Sequence, residues 1–333
     1  MVQGSDLRCF DVILNLKPLL QTGVCERRMN RRVRKNVLLE VCVVSLDYAI
    51  AAQRAKADRV ELCSDLASGG ITPDIRLMEA AREHLRVPVH VLIRPRSGDF
   101  FYSAHEFQLM RKDIQNAKQL GMDGVVLALL NREFQIDVAR TRELVELAHP
   151  LQVTFHRAFD QSHSWRDSLE AVIQTGAHRL LTSGCRAKAA EGLSTLARLV
   201  HEAKDRIIVM PGGGITPANV VRVLCATSAH EIHASLLTPA LRKVEAPQQS
   251  SQIELYYQRV LKVTSLLRPP AWYAGVLTHS ASPNRRVRRQ NGVLSLSPPR
   301  SIEPRRSRPA APMRVILDIG LSFDRTKRLD QPV

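Results

Sequence analysis

The chain of 333 residues is 44% hydrophobic, 24% charged and 5% aromatic, an ordinary globular composition, and its formal net charge is +16. The excess belongs to the ends: residues 1–36 hold 8 Lys and Arg against 3 Asp and Glu, residues 268–333 hold 13 against 4, and the 231 residues between them hold 27 against 25. A nearly neutral body excludes a basic groove tracking nucleic acid, and the absence of an apolar run of about 18 residues excludes a membrane-spanning helix.

Residues 1–36 read as a basic extension. Its apolar stretch from Phe10 to Leu20 is broken by Asp11, Asn15 and Lys17 and lacks a small-residue cleavage site, so it is not a signal peptide. The extension ends in Arg27-Arg28-Met29-Asn30-Arg31-Arg32-Val33-Arg34-Lys35, a solvated arm in which Met29 is an alternative start. From there, short β-branched runs alternate with amphipathic stretches. Strands are predicted at Val37–Val43, Arg59–Leu62, Val87–Ile93, Gly124–Leu129, Gln152–Phe155, Arg179–Thr182, Ile207–Met210 and Glu231–Ala234. Helices are predicted between and after them, at Leu46–Lys56, Ile75–His84, Ala104–Leu120, Val138–Ala148, Trp165–Thr175, Leu193–Ala203, Pro217–Cys225 and Ile253–Leu266. Thr72-Pro73 and Thr216-Pro217 read as N-caps followed by a first-turn proline, and Ser103 with Glu106 matches a capping box. The Pro/Arg-rich segment 268–333 shows little periodicity and is expected to be disordered.

Eight strand–helix alternations require parallel strands joined by right-handed crossovers. An open doubly wound sheet and a closed (β/α)8 barrel both satisfy that pattern. The count of eight and a body of 231 residues, near the usual barrel length of about 250, favour a single TIM barrel spanning 37–267. Polar residues at nearly every strand end favour it too, since an open sheet gathers its site at one switch point.

The first two strands repeat Glu-x-Cys, as Glu40-Val41-Cys42 and Glu61-Leu62-Cys63. Positions two apart share a strand face, so an axial face would bring two carboxylates together, a costly juxtaposition that demands a cation. Arg94 on the third strand, with Arg96 two residues on, is the candidate, and the fifth strand ends at His156. Glu40, Glu61, Arg94 and His156 together are material for general acid–base catalysis, or for an ion-pair plug. After strand seven, Gly212-Gly213-Gly214 offers backbone N–H groups near a helix start, and Thr182-Ser183 offers hydroxyls, so these residues with Arg96 are candidate anion ligands. Cys42 and Cys63, on strands about 4.8 Å apart, suit a soft ion such as Cu(I), with Cys185 a possible third sulfur; buried cysteines also serve simply as small hydrophobes. Six cysteines dispersed from Cys9 to Cys225, with no C-x-x-C pair, exclude a disulfide scaffold and fit reduced thiols in the cytoplasm.

Seven segments, in order, resemble the CutC family, named for copper homeostasis. They are Leu39-Glu40-Val41-Cys42, Ala57-Asp58-Arg59-Val60-Glu61-Leu62-Cys63, Gly69-Gly70-Ile71-Thr72-Pro73, Ile93-Arg94-Pro95-Arg96-Ser97-Gly98-Asp99-Phe100, Val153-Thr154-Phe155-His156-Arg157-Ala158-Phe159-Asp160, Leu181-Thr182-Ser183-Gly184 and Met210-Pro211-Gly212-Gly213-Gly214-Ile215. The resemblance implies a cytoplasmic single-domain TIM barrel, a homo-oligomer, with copper ligands at Cys42 and Cys63. Ser97 replaces the first glycine of the family's R-P-R-G-G-D-F pattern, and the likeness ends after Ser235. Two functions follow as expectations: a copper-homeostasis protein binding Cu(I), or a barrel enzyme acting on a small anionic, perhaps phosphorylated, metabolite.

Overall fold

The computed structural model describes residues 37–237 and 249–268. The expected extension 1–36 and almost all of the expected tail, with Cys9 and Cys25, lie outside the described residues. The elements alternate as β1 (Leu38–Val43), α1 (Leu46–Arg54), β2 (Arg59–Leu62), α2 (Ile75–His84), β3 (Val89–Leu92), α3 (Ala104–Gln119), β4 (Gly124–Leu127) and α4 (Val138–Ala148). They continue as β5 (Gln152–Phe155), α5 (Trp165–Gln174), β6 (Arg179–Thr182), α6 (Leu193–Ala203), β7 (Ile208–Pro211), α7 (Val220–Thr227), β8 (Glu231–Ala234) and α8 (Gln249–Leu267). Every pairing is parallel, and the sheet runs β7-β6-β5-β4-β3-β2-β1-β8. The predicted (β/α)8 barrel is present: β7 and β8 are the two ends of this ladder, and Gly212 lies so close to His233 that a Cβ there would sit 3.1 Å from the histidine's own.

Strand alternation divides the residues between two environments. Leu39, Val41, Val60, Leu62, Val91, Val125, Val153, Phe155, Leu180, Val209 and Ile232 point outward and form one continuous apolar layer with the helices. Cys42, Cys63, Leu92 and Val126 form a separate small apolar cluster facing inward. The inner positions left over are mostly polar or charged. Burial of the outer aliphatic layer, worth about 25 cal/mol per Å² of apolar surface, holds the ring that carries them.

Local signals explain most helix starts. Ser103 accepts from the Glu106 N–H at 3.2 Å while Glu106 accepts from the Ser103 N–H at 2.7 Å, the reciprocal box that was expected. Neither Thr-Pro pair caps its helix. Asp74 is the N-cap of α2, and Thr72 instead accepts from the Arg94 N–H at 2.9 Å. Thr216-Pro217 opens a turn that delays α7 to Val220, with Asn219 accepting from the Thr216 N–H at 2.8 Å. The Thr72 hydroxyl is taken by the backbone just past the end of β3, and at Thr216 it is the backbone, bonded to the Asn219 side chain, that shapes the turn. The eighth helix seats on the first: Thr264 donates to the Ala55 carbonyl at 2.9 Å, and Arg268 donates to the Lys56 carbonyl at 2.8 Å and pairs with Asp58. Among the described residues, no helix is long and apolar enough to cross a membrane.

Candidate functional site

Register places Arg59 and His233 on the two sides of Glu40. Arg59 Nε donates to Glu40 Oε2 at 2.5 Å, and its terminal nitrogen donates to Glu231 Oε2 at 2.6 Å. Arg179 Nε reaches the same Glu231 oxygen at 2.9 Å. His233 spans the two Glu-x-Cys strands: its Nδ1 lies 2.7 Å from Glu40 Oε1 and its Nε2 lies 3.5 Å from Glu61 Oε2. Three carboxylates thus meet two guanidiniums and one imidazole, all almost wholly buried. The cation that the carboxylates demand is therefore Arg59, from the same strand as Glu61, rather than Arg94.

The ionisation pattern follows from these contacts. Burial alone would raise the Glu40 pKa, but the charge of Arg59 and the His233 hydrogen bond hold it well below the usual carboxylate range. An ionised Glu40 can only accept, so the Nδ1 of His233 carries a proton. Burial and the nearby charge of Glu40 push the Glu61 carboxyl up, against the pull of His233. His233 is lowered by burial but raised more by Glu61 and Glu40, and it ends above its ordinary value. His90, 3.8 Å from Glu40, is pushed down to about 3 by burial. Gly124 makes room for that ring, since a Cβ there would lie 2.6 Å from it.

Above the charges sit the two sulfurs. Cys42 Sγ and Cys63 Sγ are 3.3 Å apart, flanked by Leu92 and Val126. Donor atoms of Cys42, Glu61 and His233 all lie within 4.8 Å of one another, a set able to hold a metal ion. The hydrogen bond with Cys63, burial and the charge of Glu61 push the Cys42 thiol well up. Cys185 is elsewhere: its N–H donates to Asp160, and burial raises its thiol to about 11.

Arg94 and His156 both lie against Phe100, with the guanidinium 4.9 Å and the imidazole 5.0 Å from that ring's centre. Arg94 is held by loop carbonyls, those of Gly70 at 2.7 Å, Gly98 at 2.8 Å and Ser68 at 3.3 Å, not by Glu40 or Glu61. His156 caps the 3-10 turn Arg157–Gln161 by accepting from the Ala158 N–H at Nδ1, 3.1 Å away. Its pKa falls to about 3 through burial and the charge of Arg94.

The expected anion ligands are largely engaged by protein carboxylates. Arg96 pairs with Asp99 and Glu106 and stacks on Tyr102. Asp160 accepts from Thr182 Oγ1 at 2.5 Å, from Ser183 Oγ at 2.8 Å and from the Ser183 N–H at 3.0 Å, filling that cradle itself. Gly212 donates its N–H to the Thr182 carbonyl, Gly213 lies against the Arg157 guanidinium, and Gly214 lies against Lys188.

Sequence reasoning missed Arg59, His90, Arg179, Glu231 and His233. The signal was the one used for Glu-x-Cys: Arg59 stands two before Glu61, and His233 two after Glu231.

The CutC family model matches residues 37–238. The copper homeostasis protein cutC homolog of Homo sapiens is 46% identical over 198 residues, covering 60% of this chain and 72% of that protein. A family protein CutC from Chromobacterium violaceum is 49% identical over 198 residues, covering 60% and 80%. Among solved structures, the CutC crystal structure from Streptococcus agalactiae superposes with a TM-score of 0.58 at 32% identity, covering 60% of this chain and 98% of that one.

Proposed function

Because this chain belongs to the CutC family, we propose that it is a cytosolic copper-homeostasis protein carrying Cu(I) on Cys42 and Cys63. The observation behind this reading is the sulfur pair itself: two buried thiols 3.3 Å apart, with an imidazole and a carboxylate beside Cys42. Soft sulfur donors select Cu(I) over harder ions. Glu40, bonded to the Nδ1 of His233, orients that ring as a carboxylate orients a ligating histidine, so its Nε2 is available to Cu(I) once deprotonated.

An anaerobic titration against a chromogenic Cu(I) chelator tests the reading. The Cys42→Ala/Cys63→Ala variant should lose competitive Cu(I) binding while keeping its circular dichroism; unchanged affinity overturns the thiolate role. The raised Cys42 thiol is protonated at neutral pH, so Cu(I) must displace that proton. Affinity should therefore tighten about tenfold per pH unit for each proton released.

A second reading, acid–base catalysis on a small anionic metabolite, is favoured by the Glu61–His233 pair, whose shared surroundings let a proton pass between them. Under that reading Glu61→Gln abolishes turnover of a responsive metabolite, and a full-rate Glu61→Gln enzyme excludes it.

A further inference from the structure

Of the seven buried side-chain polar atoms without a hydrogen-bond partner among the described residues, three belong to neighbouring residues on the rim of the barrel. Arg94 Nε, His156 Nε2 and the Tyr102 hydroxyl are all such atoms, in residues no more than 7% exposed. They are neighbours: Arg94 and His156 both lie against Phe100, and the Tyr102 hydroxyl lies within hydrogen-bonding reach of the Arg94 guanidinium without being aligned to it. Leaving a buried donor unpaired costs about 1–3 kcal/mol, and folded proteins do so where something else completes the bond.

What completes it must be an acceptor. The two terminal nitrogens of Arg94 are spent on the carbonyls of Ser68, Gly70 and Gly98, which fixes the guanidinium and leaves only Nε–H to offer. The Nδ1 lone pair of His156 is spent on the Ala158 N–H, so the ring proton of the neutral imidazole sits on Nε2. The tyrosine hydroxyl rotates to donate. No carboxylate forms an ion pair with Arg94 among the described residues, although Asp99 lies close enough to feel its charge.

We propose that Arg94 Nε–H, His156 Nε2–H and the Tyr102 hydroxyl form a recognition site for one oxyanion group, carboxylate or phosphate, of a small metabolite bound against Phe100. The site goes beyond the copper reading and does not depend on it, because none of its donors is a sulfur or touches Cys42 or Cys63. It also binds without any turnover at Glu61.

The test uses the full chain with uniformly 15N-labelled histidine. Acetate, inorganic phosphate and, as an ionic-strength control, chloride are titrated while the His156 Nε2 resonance and the thermal midpoint are followed. Acetate or phosphate at millimolar concentration should shift that resonance and raise the midpoint where chloride does not; the stronger of the two identifies the group recognised. His156→Asn keeps the cap, because an asparagine oxygen accepts the same N–H, but it removes the Nε2 donor. Affinity should fall about tenfold or more, as expected for losing a charge-assisted hydrogen bond. Tyr102→Phe, which deletes one oxygen from an otherwise intact ring, should weaken binding less. The proposal is overturned if neither oxyanion outperforms chloride, or if both variants bind like the parent chain. A failed Cu(I) titration leaves it untouched.

Discussion

Two polar clusters occupy the barrel, and they differ in how completely their hydrogen bonds are made. Inside, Glu40, Arg59, Glu231, Arg179 and His233 satisfy one another at distances of 2.5–2.9 Å, and only His90 Nδ1, 3.8 Å from Glu40, is left without a partner among them. At the rim, Arg94, His156 and Tyr102 each keep a buried polar atom unpaired. Both clusters look alike in a list of charged residues near strand ends. The difference teaches that charge alone does not mark a ligand site: a closed network carries the fold, and an open one awaits something.

The sharpest way to break the comparison is to open the closed network. Arg59→Met removes the guanidinium between Glu40 and Glu231, and leaving those carboxylates short of a buried cation should destabilise the protein by about 3–5 kcal/mol. Urea unfolding measures this; a loss below 1 kcal/mol would mean that the inner charges are not a structural plug. The rim yields a subtler signature. His156 titrates near 3 when folded and near 6.5 when unfolded, so the unfolded chain holds the extra proton throughout that window, and stability falls as pH drops through it. His156→Asn should therefore flatten the acid limb by about 1.4 kcal/mol per pH unit between pH 6 and 4, seen as a smaller drop in urea midpoint. An unchanged slope would show that the ring is not held neutral. The smallest effect belongs to neither cluster. Ser103→Ala removes half of the capping box beside Arg96 and should cost about 1 kcal/mol without altering Cu(I) binding.

Much of the barrel was legible because a parallel sheet covered by helices writes a strong pattern: β-branched runs, amphipathic spacers and eight repeats of both. The inner ends were legible only in part. Glu40, Cys42, Glu61 and Cys63 could be paired from the two-residue period alone, and their axial orientation is what the alternation predicts. The partner of Glu40 was not legible, because strand register across the ring decides it. Arg59 lies directly beside Glu40 in the β1–β2 register, whereas Arg94 lies past the end of β3, where the chain has turned into a loop. The Thr182-Ser183 hydroxyls were sound anion ligands by type, yet the carboxylate that engages them, Asp160, arrives from the preceding turn. No local motif announces that a protein supplies its own anion.

The ladder of backbone hydrogen bonds ends at β7 on one side and β8 on the other, so β8 is sewn to the sheet along its β1 edge only. Glu231 and His233 ride on that strand, and their ties to Arg59, Arg179 and Glu40 act as rivets across the inside of the ring. Neutralising the barrel's interior and fastening its last stave are thus a single act, and a metal that drew His233 away from its neighbours would be loosening the hoop from within.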